Sequence, residues 1–545
     1  MERRSSLTPR TNQTRSEGTM TLRLKTFGIA ALLAGSLHAF PAFAETTLNV
    51  VMQAPLRTLD PILSTAQIVR THGFMVFETL LGMDAKYNPQ PQMADYTVSA
   101  DKMTYTFTLR DGLKWHDGTP VKAEDCVASI KRWAANDGAG RTMMTYVASV
   151  EATSDKQLVI KLAKPFGQVL ELLAKPSPVP PFMMPKRLAE TPAGQQVTEM
   201  IGSGPFKFVA DQYRPGDQAV YVKNSDYNPR PEPMSWTAGG KVVNVDKVVW
   251  KAMPDMQTSI NALQSGDVDL IEQVTIDLLP LLTANDEIKT GAINALGSQV
   301  TGRFNHRLPP FDNPKVRQAA MYALDQDQLM QTAIGDSQYY KLCASVYGCD
   351  VPLASDAGSE YLKGSAKERL AKAKELLKAS GYDGTPVLMM QPTDLTILST
   401  QPIVAAERLR EAGFKVDVAA MDWATLQSRK NSTQPVAQGG WNMLFTYWGV
   451  SGIWNPTVHA LLDGSGSDTA WSGWPRSARV EELRSAYLTA PTLDEQKKIA
   501  KEIQQIAYDE GFYFNAGEFQ SVAAWRANLK NLQPGPLTLF WGVSK

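Results

Sequence analysis

The chain has 545 residues, of which 43% are hydrophobic and 20% charged, with 55 basic and 55 acidic side chains. This balance excludes a basic surface for nucleic acid or anionic membrane, and beyond the N-terminus no apolar run approaches the ~18 residues of a membrane span. The length predicts two to four domains, because a single hydrophobic core does not grow to this size.

The N-terminal segment has the pattern of a secretory signal peptide. Arg23 and Lys25 precede the apolar run FGIAALLAGSLHAF, and Ala42–Ala44 has the small residues of a cleavage site. We therefore expect residues 1–44 to be removed and the protein to be periplasmic. The polar stretch before Met20 does not fit a signal peptide, so Met20 is an alternative start. No cysteine lies at the cleavage site, and no lipid anchor is expected.

The next part of the chain consists mainly of predicted strands. TLNVVMQA is a strand, a helix-like segment runs from Ser64 to about Leu81, and MTYTFTLRDGLKWHDGTP alternates apolar residues at Tyr105, Phe107 and Leu109. KAEDCVASIKRW begins a helix with acids in its first turn and bases in its last, as the helix dipole favours. Further strands follow in ATSDKQLVIKLAKP, GPFKFVADQY, QAVYVKN and VDKVVWKAM.

The pattern then changes to helices separated by short strands. MQTSINALQSGDVDLIEQ predicts a helix, a turn and a buried strand, and NPKVRQAAMYALDQDQLMQTAI predicts amphipathic helix. AKERLAKAKELLKASGYDG is a helix ended by Gly381, and DEQKKIAKEIQQIAYDEG is the last long helix. Mixed sheets with covering helices predict an α/β fold rather than a bundle or a β-sandwich.

The cysteines predict one disulfide. Cys343 and Cys349 lie close together in CASVYGC, and in an oxidising compartment this pair is expected to close a small loop. A metal site would need further ligands, and none is near in sequence, so no metal and no cofactor are predicted. Cys126, within a helical pattern, is predicted to be a buried thiol.

The sequence shows few catalytic patterns. It contains no G-x-S-x-G, no H-E-x-x-H and no phosphate-binding G-x-x-x-x-G-K-[ST]. The histidines after residue 44 are scattered without the spacing of metal ligands. The chain is therefore predicted not to be an enzyme.

Five blocks resemble the extracytoplasmic solute-binding proteins of the peptide/opine/nickel family of ABC importers. The blocks are LDP (59–61), LRDGLKWHDGTPVKAEDCVASIKRW (109–133), IGSGPFKF (201–208), SGDVDL (265–270) and PPFDNPKVRQAAMYALD (309–325). The resemblance covers nearly the whole chain after residue 44, and the second and last blocks are specific to the family.

This resemblance implies a two-lobed periplasmic binding protein whose first lobe is split into two domains. The N-terminal domain would be discontinuous, comprising residues 45–88, 202–300 and 510–545. A second domain would be inserted at 89–201, and the distal lobe would span 301–509. The C-terminal LTLFWGVSK would then be a segment that returns to the first domain rather than a free tail.

The resemblance also implies a function. The protein would capture a small solute between its lobes and deliver it to the permease and ATPase subunits of an importer, as a monomer that contacts no nucleic acid and does not span the membrane. Two alternatives stay open: a peptide- or dipeptide-binding protein proper, and a chaperone-like or sensory module that uses the same cleft.

The stretch Trp448–Pro456 bears on the ligand. Peptide-binding members of the family carry an aspartate three residues after this tryptophan, and it pairs with the ligand's α-ammonium. Here Ser451 or Gly452 takes that place, and Asn455 precedes the proline. A buried ammonium without an anionic partner is costly, so we expect an opine-like, sugar-derived or modified-peptide ligand rather than a peptide with a free amino end.

Twelve residues are candidates for ligand contact. Aromatic faces can stack on rings or hold cations, although Trp441 and Tyr447 are also open to an interpretation as core residues. Arg303 and His306 are equally open to an interpretation as surface charges on a connecting segment. GSGSDTAWSGWP, residues 464–475, is either a second cleft loop or a surface loop. The candidates are Pro55, Leu56, Arg57, Arg303, His306, Asp394, Trp441, Tyr447, Trp448, Gly449, Ser451 and Trp454.

Overall fold

A computed structural model of the protein describes residues 45–294, 296–490 and 492–545. The predicted signal peptide, residues 1–44, lies outside the described residues. Within the described residues, no helix combines the length and apolar character needed to cross a membrane.

The strands are distributed along the whole described chain. They are β1 Thr47–Val51, β2 Glu78–Thr79, β3 Leu81–Met83, β4 Pro89–Pro91, β5 Ala94–Val98, β6 Thr104–Leu109, β7 Val147–Ala152, β8 Gln157–Leu162, β9 Phe182–Met183, β10 Phe206–Phe208, β11 Gln218–Lys223, β12 Lys247–Lys251, β13 Leu270–Val274, β14 Ile288–Ala292, β15 Ser298–Phe304, β16 Tyr340–Lys341, β17 Val387–Pro392, β18 Val416–Met421, β19 Met443–Gly449, β20 Tyr513–Phe519 and β21 Val522–Arg526.

The α-helices are concentrated in the second half. They are α1 Gln67–Val76, α2 Ala123–Asn136, α3 Gly138–Met144, α4 Val169–Ala174, α5 Lys186–Ala189, α6 Met256–Ser265, α7 Pro280–Thr283, α8 Pro314–Ala323, α9 Gln326–Ile334, α10 Ala366–Ala379, α11 Thr396–Ser399, α12 Gln401–Ala412, α13 Trp423–Arg429, α14 Ala478–Tyr487 and α15 Leu493–Asp509.

Two large mixed sheets organise the molecule. The first has the order β10-β11-β12-β1-β13-β21-β14, in which β1 runs parallel to β12 and β13 and the other neighbours are antiparallel. The second has the order β16-β20-β15-β19-β17-β18, in which β17 is parallel to both of its neighbours. Both sheets confirm the predicted α/β class.

A smaller antiparallel sheet, β5-β6-β8-β7, lies between β4 and β10 in the chain. The alternation predicted for this region is present, since Tyr105, Phe107 and Leu109 are all buried on one face. Helix α2 packs on this sheet through Cys126, Ile130 and Trp133, which are all fully buried.

The chain passes between the two large sheets twice. It leaves the first sheet after Ala292 and enters the second at Ser298, and it returns between Phe519 and Val522. We call residues 45–292 with 522–545 the first lobe, and residues 298–519 the distal lobe. The domain limits at residues 300 and 510 stay predictions. β15 and β20, which lie close to these limits, both pair within the second large sheet.

The helix expected from Ser64 to Leu81 is shorter than predicted. Helix α1 ends at Val76, and Phe77 adopts an extended backbone. The residues that follow pair as strands, β2 with β9 and β3 with β4. An apolar run that is buried on all sides looks the same in a helix and in a short strand, and here tertiary pairing decides.

The C-terminal segment is part of the first lobe. Leu539, Phe540 and Trp541 are all buried, and Lys530 pairs with Ser544 in an isolated bridge. The ring of Trp541 contacts Phe74 edge-on at a centroid distance of 6.5 Å.

Cys343 and Cys349 are joined by a disulfide, with their Cα atoms 5.8 Å apart. Cys126 is a buried free thiol.

Replacing Trp541 should destabilise the first lobe. Trp541→Ala removes a large side chain that is 1% exposed, and such truncations cost about 3–5 kcal/mol of unfolding free energy. Urea denaturation followed by circular dichroism measures the loss. Ile403→Ala, at a site 48% exposed on α12, is the matched control and should change stability by under about 0.5 kcal/mol. Equal effects of the two changes would contradict a packed C-terminal segment.

Candidate functional site

A cavity of about 540 Å³ lies between the two lobes. The first lobe lines it with residues from the segment after β1, the start of α3 and the loop before β9. The distal lobe lines it with α13 and with the loop 464–475. A smaller cavity of about 40 Å³ adjoins it, sharing Thr65, Trp423 and Trp471 in its lining. We call the two together the interlobe cavity.

Tryptophan side chains form one wall of the interlobe cavity. Trp471 lines both parts, and its Nε1 donates a hydrogen bond across the lobes to Thr65 Oγ1 at 3.4 Å. Trp448 meets Trp471 edge-on at a centroid distance of 5.3 Å. Trp448 is 6% exposed, and its Nε1 has no hydrogen-bond partner in the described residues. The wall therefore offers both aromatic surface and an unused donor.

The position of Trp471 depends on a buried cation beneath it. Arg303, the penultimate residue of β15, donates from Nε to the carbonyl of Ser472 at 2.8 Å. Its Nη1 donates to the carbonyls of Leu461 at 3.0 Å and Phe512 at 3.1 Å. Gly473 makes this approach possible, because a Cβ there would lie 2.3 Å from Arg303 Nε and its φ is +108°. The arginine thus fixes the loop that carries Trp471.

Lys430 contributes to the cavity lining a buried positive charge that has no carboxylate partner among the described residues. It follows α13, its side chain is buried, and its backbone carbonyl accepts from Trp441 Nε1 at 2.8 Å. Its Nζ donates to Asn431 Oδ1 at 3.2 Å and lies 5.1 Å from the ring centre of Trp471. In the described part of the chain it forms no ion pair, and burial lowers its pKa to about 8.

The carboxylates of the lining are already engaged. Asp137 accepts from Lys175 Nζ at 2.8 Å and from the Gly140 backbone. Asp468 pairs with an arginine outside the cavity lining. Asp463 accepts from the Ser465 backbone at 3.0 Å and lies 3.9 Å from an Arg484 nitrogen. Among the described lining residues, no carboxylate therefore lacks a partner within the protein.

Arg70 adds a second cation, on the first-lobe side. It is 4% exposed and donates from Nη1 to the Pro178 carbonyl at 3.3 Å, while its Nε has no partner in the described residues. Burial lowers its pKa to about 10, although the nearby Tyr447 and Glu272 act in the opposite direction. Arg70 lines the smaller part of the cavity.

The lobes also contact each other directly around the cavity. Arg57 pairs with Asp422 at 3.2 Å, although both side chains are more than a third exposed. Tyr447 donates from its hydroxyl to Gln53 Oε1 at 3.1 Å. These contacts join the two lobes at the border of the interlobe cavity.

Five of the twelve predicted residues line the interlobe cavity: Pro55, Arg57, Tyr447, Trp448 and Gly449.

Four other candidates line separate cavities. Ser451 and Trp454 line a cavity of about 520 Å³ between the inserted sheet region and the distal lobe, where Trp454 lies 5.3 Å from the Tyr87 ring. Leu56 and Asp394 line a third, of about 210 Å³, and Asp394 accepts from the Trp423 backbone at 2.6 Å.

The remaining three candidates have structural positions. Trp441 is fully buried and packs against Trp474 at 6.2 Å, which favours its core interpretation. Arg303 lies under the tryptophan wall rather than in it. His306 is held against the Phe512 carbonyl, and burial together with neighbouring arginines keeps its pKa well below its ordinary value. None of the three lines the interlobe cavity.

Sequence reasoning missed Lys430, Arg70 and Trp423. Lys430 lies in SRKNS, which has the composition of an exposed helix end, and Arg70 lies in a helix without a marked charged face. The loop 464–475 lines the cavity through Trp471 and Trp474, in agreement with the cleft interpretation of its tryptophans.

Comparison with known proteins gives a consistent result. Residues 88–471 match the family model described as bacterial extracellular solute-binding proteins, family 5. A "Probable peptide ABC transporter periplasmic-binding protein" of Sinorhizobium fredii is 37% identical, covering 96% of this chain and 100% of the relative.

Two solved structures share the fold. A binding protein from A. tumefaciens R10 in complex with agropinic acid has a TM-score of 0.74 at 22% identity, covering 91% of this chain and 98% of its own. A Helicobacter pylori periplasmic binding protein in complex with the peptide STSA has a TM-score of 0.76 at 19% identity, covering 92% and 98%. Both confirm the two-lobed architecture.

Arg303→Met should lower the stability of the ligand-free protein. It removes a buried cation and leaves three carbonyls without their donors, which costs at least about 3 kcal/mol. Chemical denaturation without ligand measures the effect. Arg476→Met, an exposed position in the following segment, is the control. If Arg303→Met leaves the stability unchanged but alters ligand binding, Arg303 contacts the ligand instead.

Lys430 should give the protein a specific pH dependence. Its pKa is lower in the folded than in the unfolded chain, so the charged form destabilises the fold below pH 8, and the penalty disappears as pH rises toward 10.5. Lys430→Met should therefore raise ligand-free stability by roughly 3 kcal/mol near pH 7, and this gain should vanish at high pH.

Denaturation of both proteins between pH 7 and pH 10.5 tests this difference. Lys374→Met, at an exposed position on α10, should show no such trend. A constant gap between wild type and Lys430→Met would show that Lys430 is not held in a desolvated site.

Proposed function

Since the chain belongs to family 5 of the bacterial extracellular solute-binding proteins and is the substrate-binding component of an ABC importer, we propose that its solute binds in the interlobe cavity. We further propose that this solute lacks a free α-ammonium group and is opine-like, sugar-derived or a modified peptide. The mature protein would act as a periplasmic monomer, and it would release the solute unchanged to the permease.

One observation carries the ligand proposal: the cavity has unused donors but no unused carboxylate among its described lining residues. Asp137, Asp463 and Asp468 are each paired within the protein. A ligand ammonium placed there would be buried without an anion, which is unfavourable by several kcal/mol in real proteins. A ligand rich in acceptors would instead satisfy the Trp448 indole and the Arg70 guanidinium.

The tryptophan wall supports the same ligand class. Trp471, Trp448 and Trp423 present ring surface to the cavity. Sugar-like or aromatic ring systems stack on such surfaces without requiring a charge. The fold alone does not choose the ligand, because solved proteins that share it hold an opine in one case and a peptide in another.

A peptide ligand is the second candidate function. The Sinorhizobium fredii relative, at 37% identity over nearly the whole chain, is named as part of a peptide ABC transporter. A peptide whose amino end is blocked would be compatible both with that name and with the engaged carboxylates of the cavity.

Matched pairs of compounds test the proposal. Thermal unfolding and titration calorimetry of the mature protein would compare dipeptides with their N-acetyl derivatives, alongside agropinic and mannopinic acids and simple sugars. We expect N-acetyl or opine compounds to raise the melting temperature, since a ligand at 100 times its Kd stabilises by about 2.7 kcal/mol. Free dipeptides should not.

A control variant locates the binding. Trp448→Phe keeps an aromatic ring but removes the unpartnered N–H together with part of the buried indole, so it should weaken binding. Denaturation without ligand measures the accompanying loss of packing separately. Stabilisation by free dipeptides, with none by their N-acetyl forms, would overturn the ligand proposal in favour of an ordinary peptide-binding protein.

A further inference from the structure

Lys430 is a buried ammonium that lacks an anionic partner. Its side chain is 7% exposed, and it lines the larger part of the interlobe cavity. An ammonium group has three donors, and the described structure uses one of them, toward Asn431 Oδ1 at 3.2 Å. A buried charge in this condition is costly, and proteins ordinarily pair or expose it.

The surroundings keep Lys430 in place rather than neutralise it. Trp441 Nε1 holds its backbone carbonyl, and the ring of Trp471 lies 5.1 Å from its Nζ. Asn431 Oδ1 also accepts from Ser472 Oγ at 3.0 Å, which fixes the amide. The backbone of Lys430 and the amide that its Nζ contacts are therefore both held within the cavity wall.

The charges around Lys430 do not compensate it. Arg303 lies on the same tryptophan, with its Cζ 5.5 Å from the Trp471 ring centre, and therefore adds positive charge. The lining also includes Arg57, Arg141 and Arg484, and its acids Asp137, Asp463 and Asp468 are engaged elsewhere. Burial alone shifts the pKa of Lys430, and no carboxylate contributes to that shift.

The opposite lobe supplies matching donors to the same space. Ser64 and Thr65 line the larger part of the cavity. In the described structure their hydroxyl oxygens accept hydrogen bonds, from Ala66 N at 3.2 Å and Trp471 Nε1 at 3.4 Å, and neither uses its own O–H as a donor. Ser64 and Thr65 therefore add donors of the first lobe to the same cavity that Lys430 lines.

We infer that Lys430 binds an anionic group of the transported solute, so that the natural ligand carries a carboxylate or a group of equivalent charge. The inference rests on the proposed function, because it concerns the same interlobe cavity. It narrows the ligand class from any solute without a free ammonium to an acidic one. It also gives the ligand a means of closing the lobes, since an anion held by donors of both lobes binds the closed form more tightly than the open form.

Acid and amide forms of the same compound test the inference. The probes are N-acetyl dipeptides and their C-terminal amides, glucuronate and glucuronamide, and inorganic phosphate. Calorimetry on the wild-type protein should show a preference for the acid over its neutral partner on the order of tenfold to a hundredfold. Binding of phosphate alone at comparable strength would show that the site selects phosphoryl groups rather than carboxylates.

Three variants separate a ligand role from a structural one. Lys430→Met should abolish the acid preference while still binding the neutral analogues, and its ligand-free melting temperature should be equal to or above that of the wild type. Lys430→Arg should retain part of the preference. Lys374→Met should behave as wild type. In the wild-type protein the preference should decline at alkaline pH, and in Lys430→Arg it should not.

The outcomes distinguish a failure of the proposed function from a failure of the inference about Lys430. If no compound stabilises the wild type, the proposed function fails. If acids and neutral compounds bind equally well, or if Lys430→Met keeps the acid preference, the inference about Lys430 fails and the proposed function stands.

Discussion

The interlobe cavity depends on the hydrogen bonds that the Arg303 guanidinium donates. From near the end of β15 this guanidinium donates to the carbonyls of Ser472, Leu461 and Phe512, which all lie more than 150 residues further along the chain. These bonds hold the cavity loop and the C-terminal strand of the distal lobe against one sheet. Trp471 sits on top of this arrangement, and Lys430 approaches the same ring. The cavity wall is thus built outward from a buried cation that does not itself line the cavity.

Much of the fold was predictable from local pattern, whereas the burial of individual charges was not. The alternation in β6 and the acidic start of α2 depend on neighbouring residues, and the structure reproduces both. β15 is different, because all seven of its residues are buried and no face is left to show a period of two. Arg303 was a candidate for ligand contact because the family resemblance places its strand beside the cleft, yet it is enclosed by chain segments more than 150 residues away.

The candidate site shows the same limit. Trp448 and Tyr447 were found because aromatics among small residues are visible in the sequence itself. Lys430 was not, because its burial is created by Trp441 and Trp471, which follow it by 11 and 41 residues along the chain. Nothing in SRKNS distinguishes a lysine at the end of a solvent-exposed helix from one enclosed by two tryptophans. The local sequence around Lys430 is typical of an exposed charge. Only the tertiary structure shows that this side chain is buried.

The distribution of unsatisfied groups then gives the cavity its chemical character. A ligand shifts the balance between open and closed lobes only by as much as it binds one form better than the other. In the described structure the carboxylates of the cavity lining are paired with groups of the protein itself. Lys430, Arg70 and the Trp448 indole, in contrast, each have an N–H donor without an acceptor. Those donors lower the stability of the empty protein, because they are desolvated without a partner. An acidic, acceptor-rich solute would remove that penalty when the lobes enclose it, so the same groups that weaken the empty cleft would strengthen the closed and loaded one.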